Sequence, residues 1–137
     1  MKRVTRTLLG WVSLAVIVPL ASSCHDETVV GTYTATTFTC GPTGAASTNV
    51  LAAGGSISLT IADDMSTGGT LTIPAGVNCG STGTTSLLGH AGKVGTVVTL
   101  NTTADSFMRE MQFSYGGTTL SGSGTFSGIV VIVILSK

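Results

Sequence analysis

Residues 109–137 read REMQFSYGGTTLSGSGTFSGIVVIVILSK, three alternating runs divided by Gly116-Gly117 and Ser127-Gly128. A two-residue turn at Gly116-Gly117 pairs Tyr115 with Thr118 and places Phe113 opposite Leu120. Met111 then opposes Gly122, Arg109 opposes Gly124 and Phe107 opposes Phe126. All these positions lie on one face, because strand side chains alternate. The other face of the first run, with Glu110, Gln112 and Ser114, is mostly polar, so the apolar face points inward. A turn at Ser127-Gly128 continues the register: Phe126 with Ile129, Gly124 with Val131, Gly122 with Val133, Leu120 with Leu135. Interior glycines opposite bulky residues weaken a flat sheet, but they permit tight coiling and close approach. The pattern therefore predicts a closed small barrel; a β-sandwich is the alternative architecture.

The rest of the chain supports an all-β fold. Residues 28–39 form a first long strand rich in β-branched residues, and 56–62 alternate with Ile57, Leu59 and Ile61 on one face. The segment 63–69 reads as a turn, 70–74 as a strand, and 90–94 and 96–102 as two more strands divided by Gly95. One helical turn is expected within 47–55. Strands punctuated at this spacing indicate an eight-stranded antiparallel up-and-down barrel.

The first 23 residues read as an address. Lys2, Arg3 and Arg6 precede an apolar run from Leu8 to Leu20, then Ala21, Ser22, Ser23 and Cys24. That is the plan of a secretory signal peptide, with an apolar stretch too short to span a bilayer. "ASSC" resembles a lipobox, which makes Cys24 a candidate for lipid attachment; ordinary cleavage that leaves Cys24 free or paired is the other reading. The expected organisation is a signal peptide at 1–23, a tether at 24–28 and a barrel domain at 29–137. His25 follows the cysteine, and the absence of Asp there favours an exported, outer-membrane-anchored envelope protein, facing the periplasm or the cell surface. Without the leader, Lys93, Arg109 and Lys137 stand against six acidic residues, so nucleic acid is not an expected partner. The remaining cysteines, Cys40 and Cys79, lie in Gly-rich loops and are expected to pair in an oxidising compartment. A metal site is the rival reading, but no His or Asp stands at ligand spacing.

The opening strand VGTYTA, residues 30–35, together with the meander of hairpins and the closing run GTTLSGSGTFSG, resembles the bacterial lipocalin-like domains of the calycin group. Tyr33 stands where that family's Gly-x-Trp strand has tryptophan. The family's arginine on the late strands has no counterpart, since the last run ends only in Lys137. The resemblance implies a scaffold that holds one small hydrophobic or amphipathic ligand, with Tyr33, Met111 and Phe113 as lining residues. By the register above, Arg109 faces the interior, where a guanidinium would meet a fatty-acid-like carboxylate. Pairing with Asp105 or Glu110, or reaching to the rim, is the alternative.

On the last strand Val130, Ile132 and Ile134 point outward. Either the NVLAA segment at 49–53 covers this stripe or it forms a contact patch for a partner or membrane. Catalysis is not expected. His25 lies in the tether, His90 reads as exposed, Asp63-Asp64 sits in a turn, and no nucleophile has a base partner in view. No cofactor is implied. The function expected is ligand binding by an exported barrel, with a non-catalytic interaction or inhibitor-type envelope protein as the alternative.

Overall fold

The structure, a computed structural model, describes residues 28–137. The signal peptide expected at 1–23, Cys24 and His25 lie outside the described residues. Ten strands and one helical turn follow in chain order: β1 (Gly31–Pro42), β2 (Thr48–Asn49), β3 (Ser56–Ile61), β4 (Ser66–Ile73), β5 (Gly83–Ser86), β6 (Gly89–Val94), β7 (Val97–Thr102), α1 (Phe107–Glu110), β8 (Gln112–Tyr115), β9 (Thr119–Phe126) and β10 (Ile129–Ser136). Strands β1, β3, β4, β6, β7, β8, β9 and β10 pair as successive antiparallel neighbours. The ring closes where β10 returns to β1, from Thr34 opposite Ser136 to Pro42 opposite Ile129. The molecule is thus a closed eight-stranded up-and-down barrel and not a sandwich. β2 adds to β1, and β5 adds to β4 beyond the stretch that β6 covers.

Closure depends on an irregularity in β1. Ala35 pairs with Leu135 and Thr37 with Ile134, so Thr36 is an extra residue in the strand. Side chains alternate, so Tyr33 and Phe38, five apart, could not share a face on a regular strand. The bulge resets the alternation and both are fully buried.

The late hairpins separate cleanly. β9 and β10 pair in the expected register, including Gly124 with Val131 and Gly122 with Val133. Their turn has φ of 49° at Ser127 and 79° at Gly128, the two positive values that a tight hairpin turn of this hand requires. β8 and β9 pair two positions away from expectation: Tyr115 with Leu120 and Phe113 with Gly122. In that turn Gly117 has positive φ and Gly116 does not, so a two-residue turn does not form. A longer reversal does, with Gly116 N–H donating to Thr119 O at 2.9 Å. A shift of two keeps every side chain on its face, so the inward set survives.

Residues 107–110 depart further, forming a helical turn where a strand was expected. Phe107 and Met108 are both buried. Adjacent residues on a strand cannot both face the core, whereas one helical turn brings Phe107, Met108 and Met111 inward together. β4 also begins at Ser66, inside the expected break, because the reversal is confined to residues 62–65. The helical turn expected within 47–55 is instead the short β2 followed by turns.

Candidate functional site

The barrel interior gathers Tyr33, Met111 and Phe113, as the sequence suggested. It gathers them as packing. Each is at most 1% exposed, among a continuous apolar core that includes Leu59, Leu120, Val133 and Leu135. A Cβ built on Gly122 would lie 2.5 Å from Met111 Sδ and 2.9 Å from Phe113 Cδ1. The missing side chain is therefore room already taken by its neighbours. Eight strands enclose a lumen just wide enough for side chains to fill. The Gly124 position accommodates the Phe126 ring, whose Cζ lies 2.6 Å from the would-be Cβ.

Arg109 does not face this interior. It stands on the exposed side of α1, with its Nη2 2.6 Å from Asp105 Oδ1. The inward placement rested on a strand through 109–111, and the helical turn there rotates Arg109 outward. The pairing with Asp105 is the alternative that the sequence had offered.

Thr28 and Lys137 meet at one end of the barrel. Lys137 Nζ donates to Thr28 O at 2.7 Å and to Val30 O at 3.0 Å. It stands 5.4 Å from the Tyr33 ring centroid and 5.6 Å from that of Tyr115. Tyr115 Oη also donates to Thr28 O, at 2.8 Å, and lies against Gly117 O. Tyr33 is buried below, its hydroxyl donating to Val29 O at 2.7 Å. Burial pushes the Tyr33 hydroxyl above its ordinary value of 10.0. Burial alone would lower Lys137, but its contacts with Tyr33 and Tyr115 outweigh that, and its value is raised. Lys93 Nζ lies 5.0 Å from the Tyr115 ring as well. This cluster was missed from sequence; the signal available was a cation ending the strand that returns to Tyr33.

The opposite end is covalently tied. Cys40 and Cys79 form a disulfide with Cα atoms 5.4 Å apart, joining β1 to the loop between β4 and β5. The NVLAA segment also closes this half of the barrel. Val50 is fully buried in the core and donates its N–H to Phe38 O. It does not cover the outer stripe of β10, where Ile132 is 41% exposed and Val130 and Ile134 are half-buried.

Ile132 and Ile134 of that stripe border a groove of about 500 Å³ on the outer wall of β7 to β10. Val97 pairs with Ser114, Ser114 with Ser121 and Ser121 with Ile134, so one row across the wall runs large, small, small, large. Ser123 beside Ile132 repeats the step. Small outward side chains on β9 thus make a trough whose sides are valine and isoleucine. None of its lining residues is charged. The outward serines of "LSGSG" were the legible signal, overshadowed by the glycines between them.

His90 is exposed. Ser66, bonding to Asp64 through its side chain and its N–H, holds that carboxyl below the usual range. Among the described residues no group of three His, Cys, Asp or Glu is placed to hold a metal, and no helix is long and apolar enough to cross a membrane. In comparison with known proteins, no family model, no curated protein and no solved structure matches this chain.

Proposed function

We propose that this chain is an exported, lipid-anchored, non-catalytic interaction protein of the cell envelope, with a filled barrel as a rigid scaffold. Its contact surface is the outer trough bordered by Val97, Ile132 and Ile134. The observation that carries this reading is the burial of Tyr33, Met111 and Phe113 in one continuous core, with Met111 and Phe113 filling the space over Gly122. The lipocalin-like resemblance enters as architecture alone. Ligand holding does not follow from it.

The occupant of the trough is an uncharged protein surface. Isoleucine and valine walls gain from burial, while Gln112 and the serines offer hydrogen bonds. A charged partner would lose hydration there with no opposite charge to meet it. Cys24 supplies the anchor, and several acyl chains there would hold the protein at the outer membrane.

The test is cross-linking in intact envelopes with Ile132→Asp and Ile134→Asp, both outward substitutions that leave the core intact. Loss of the wild-type adducts is expected; adducts unchanged in both variants reject the trough. Native mass spectrometry of envelope-purified protein should show only the Cys24-linked lipid, and a further lipid held stoichiometrically would restore the lumenal reading. Cys24→Ser should release the protein from membranes.

A further inference from the structure

Thr28 lies at the barrel end opposite the disulfide, held by Lys137 Nζ at 2.7 Å and Tyr115 Oη at 2.8 Å. Tyr115 N–H donates to Thr96 O at 2.7 Å, which places the β6–β7 hairpin at the same end. That hairpin pairs Val94 with Val97 about Gly95, whose φ of 60° suits a tight turn. Val94 at its tip is 83% exposed, more than any other large apolar side chain among the described residues. The β3–β4 turn is here too, because Ile61 pairs with Gly31, and it brings the exposed Asp63 and Asp64. Lys93 and Lys137 are thus matched by two carboxylates, and neither sign is in excess among the described lysines and acids of this end.

We propose that this end faces a zwitterionic lipid surface, with Val94 seated among the headgroups and the disulfide end pointing away. The proposal rests on the reading of Cys24 as the lipid attachment site. From residue 24 to residue 28 the chain can reach at most about 14 Å. β1 covers about 30 Å from Gly31 to Cys40, or about 20 Å along the barrel axis once strand tilt is counted. A disulfide end laid on the bilayer would hold Thr28 too high for Cys24 to reach the lipid. Two postures are left, upright and lying on the wall, and the exposed apolar groups favour the first. Val94 projects from a hairpin tip, whereas Ile132 borders a recess that a flat headgroup layer does not fill. One valine buries too little surface to hold a protein at a membrane, so it orients what the anchor retains. Asp26 and Glu27 add acids to the tether, so anionic lipid is not the favoured surface.

The experiment places envelope-purified, lipidated protein in phosphatidylcholine vesicles, part of whose lipid is brominated high on its acyl chains to quench nearby tryptophan. The chain's one tryptophan, Trp11, lies in the expected signal peptide, so each variant carries a single reporter. Three exposed positions are compared: Val94→Trp at the tip, Ile132→Trp on the wall and Ser81→Trp beside the disulfide. Vesicle flotation is read first. Wild-type protein that stays behind refutes the anchor, and this orientation with it. With the protein afloat, Val94→Trp should lose roughly threefold more emission than either other variant, since an interfacial side chain sits about 5–10 Å into the headgroup and acyl boundary. Equal quenching at Ile132→Trp overturns the upright posture in favour of a barrel lying on its wall. Stronger quenching at Ser81→Trp, or none at any position, also overturns the orientation while the anchor stands.

Discussion

The two ends of the barrel are closed by opposite means. At the disulfide end the Cys40–Cys79 bond is joined by apolar contacts, with the Phe107 ring 5.8 Å from Phe38 and 6.1 Å from Phe126. At the other end Lys137 gathers the carbonyls of Thr28 and Val30, which stand outside β1, and Tyr115 shares the first of them. The lysine stem lies along Gly31, where an added Cβ would come within 3.0 Å of Lys137 Cδ. The lesson is that a barrel end needs its loose backbone satisfied or covered, and the two solutions respond to different insults. One resists pH and yields to reductant; the other resists reductant and yields to alkali.

The largest effect expected is at the covalent end. Cys40→Ala with Cys79→Ala, or reduction of the wild type, should cost about 4 kcal/mol, from the entropy of an open loop of this length. Urea unfolding with and without reductant measures it, and equal midpoints would remove the contrast between the ends. Between the ends, Gly122→Val should cost about 1–3 kcal/mol by overpacking against Met111 and Phe113. Combining it with Met111→Ala should restore part of that loss if the missing side chain is indeed filled by methionine.

At the polar end, Lys137→Met should cost about 1 kcal/mol, the net value of an exposed charged hydrogen-bond cluster. Its pH dependence is the sharper readout. Lys137 and Tyr33 both have raised values in the folded state, from ordinary values of 10.5 and 10.0. Their contribution is therefore fully present below pH 10 and is lost as pH rises through the raised folded values. Wild-type urea midpoints should fall above pH 10, and Lys137→Met should lose the lysine's share of that fall. The smallest effect belongs to Arg109→Ala, at most about 0.5 kcal/mol for an exposed helical ion pair. A loss several times larger would mean that Arg109 supports more than α1.

Legibility followed how local the determining physics is. The β9–β10 register was readable because Ser127-Gly128 sets it alone and every inward residue agrees. The β8–β9 register was not, because the choice between a tight and a longer reversal depends on which of two glycines takes positive φ, and tertiary contacts at Tyr115 and Thr118 bear on that. Alternation alone also hid α1: Phe107 and Met108 are buried side by side, a pattern that a strand reading must break. Arg109 was misplaced with it. The disulfide was legible from compartment chemistry and cysteine count. The trough was legible only in hindsight of register, because it forms from four strands whose outward residues are far apart in sequence.

The bond between β1 and β10 has a consequence for the order of events in the cell. The first strand finds its partner across the seam only in β10, so the ring stays open while β10 is still unsynthesised. Until then the edge of β1 that faces β10 is unpaired, a strand edge open to pairing with another chain.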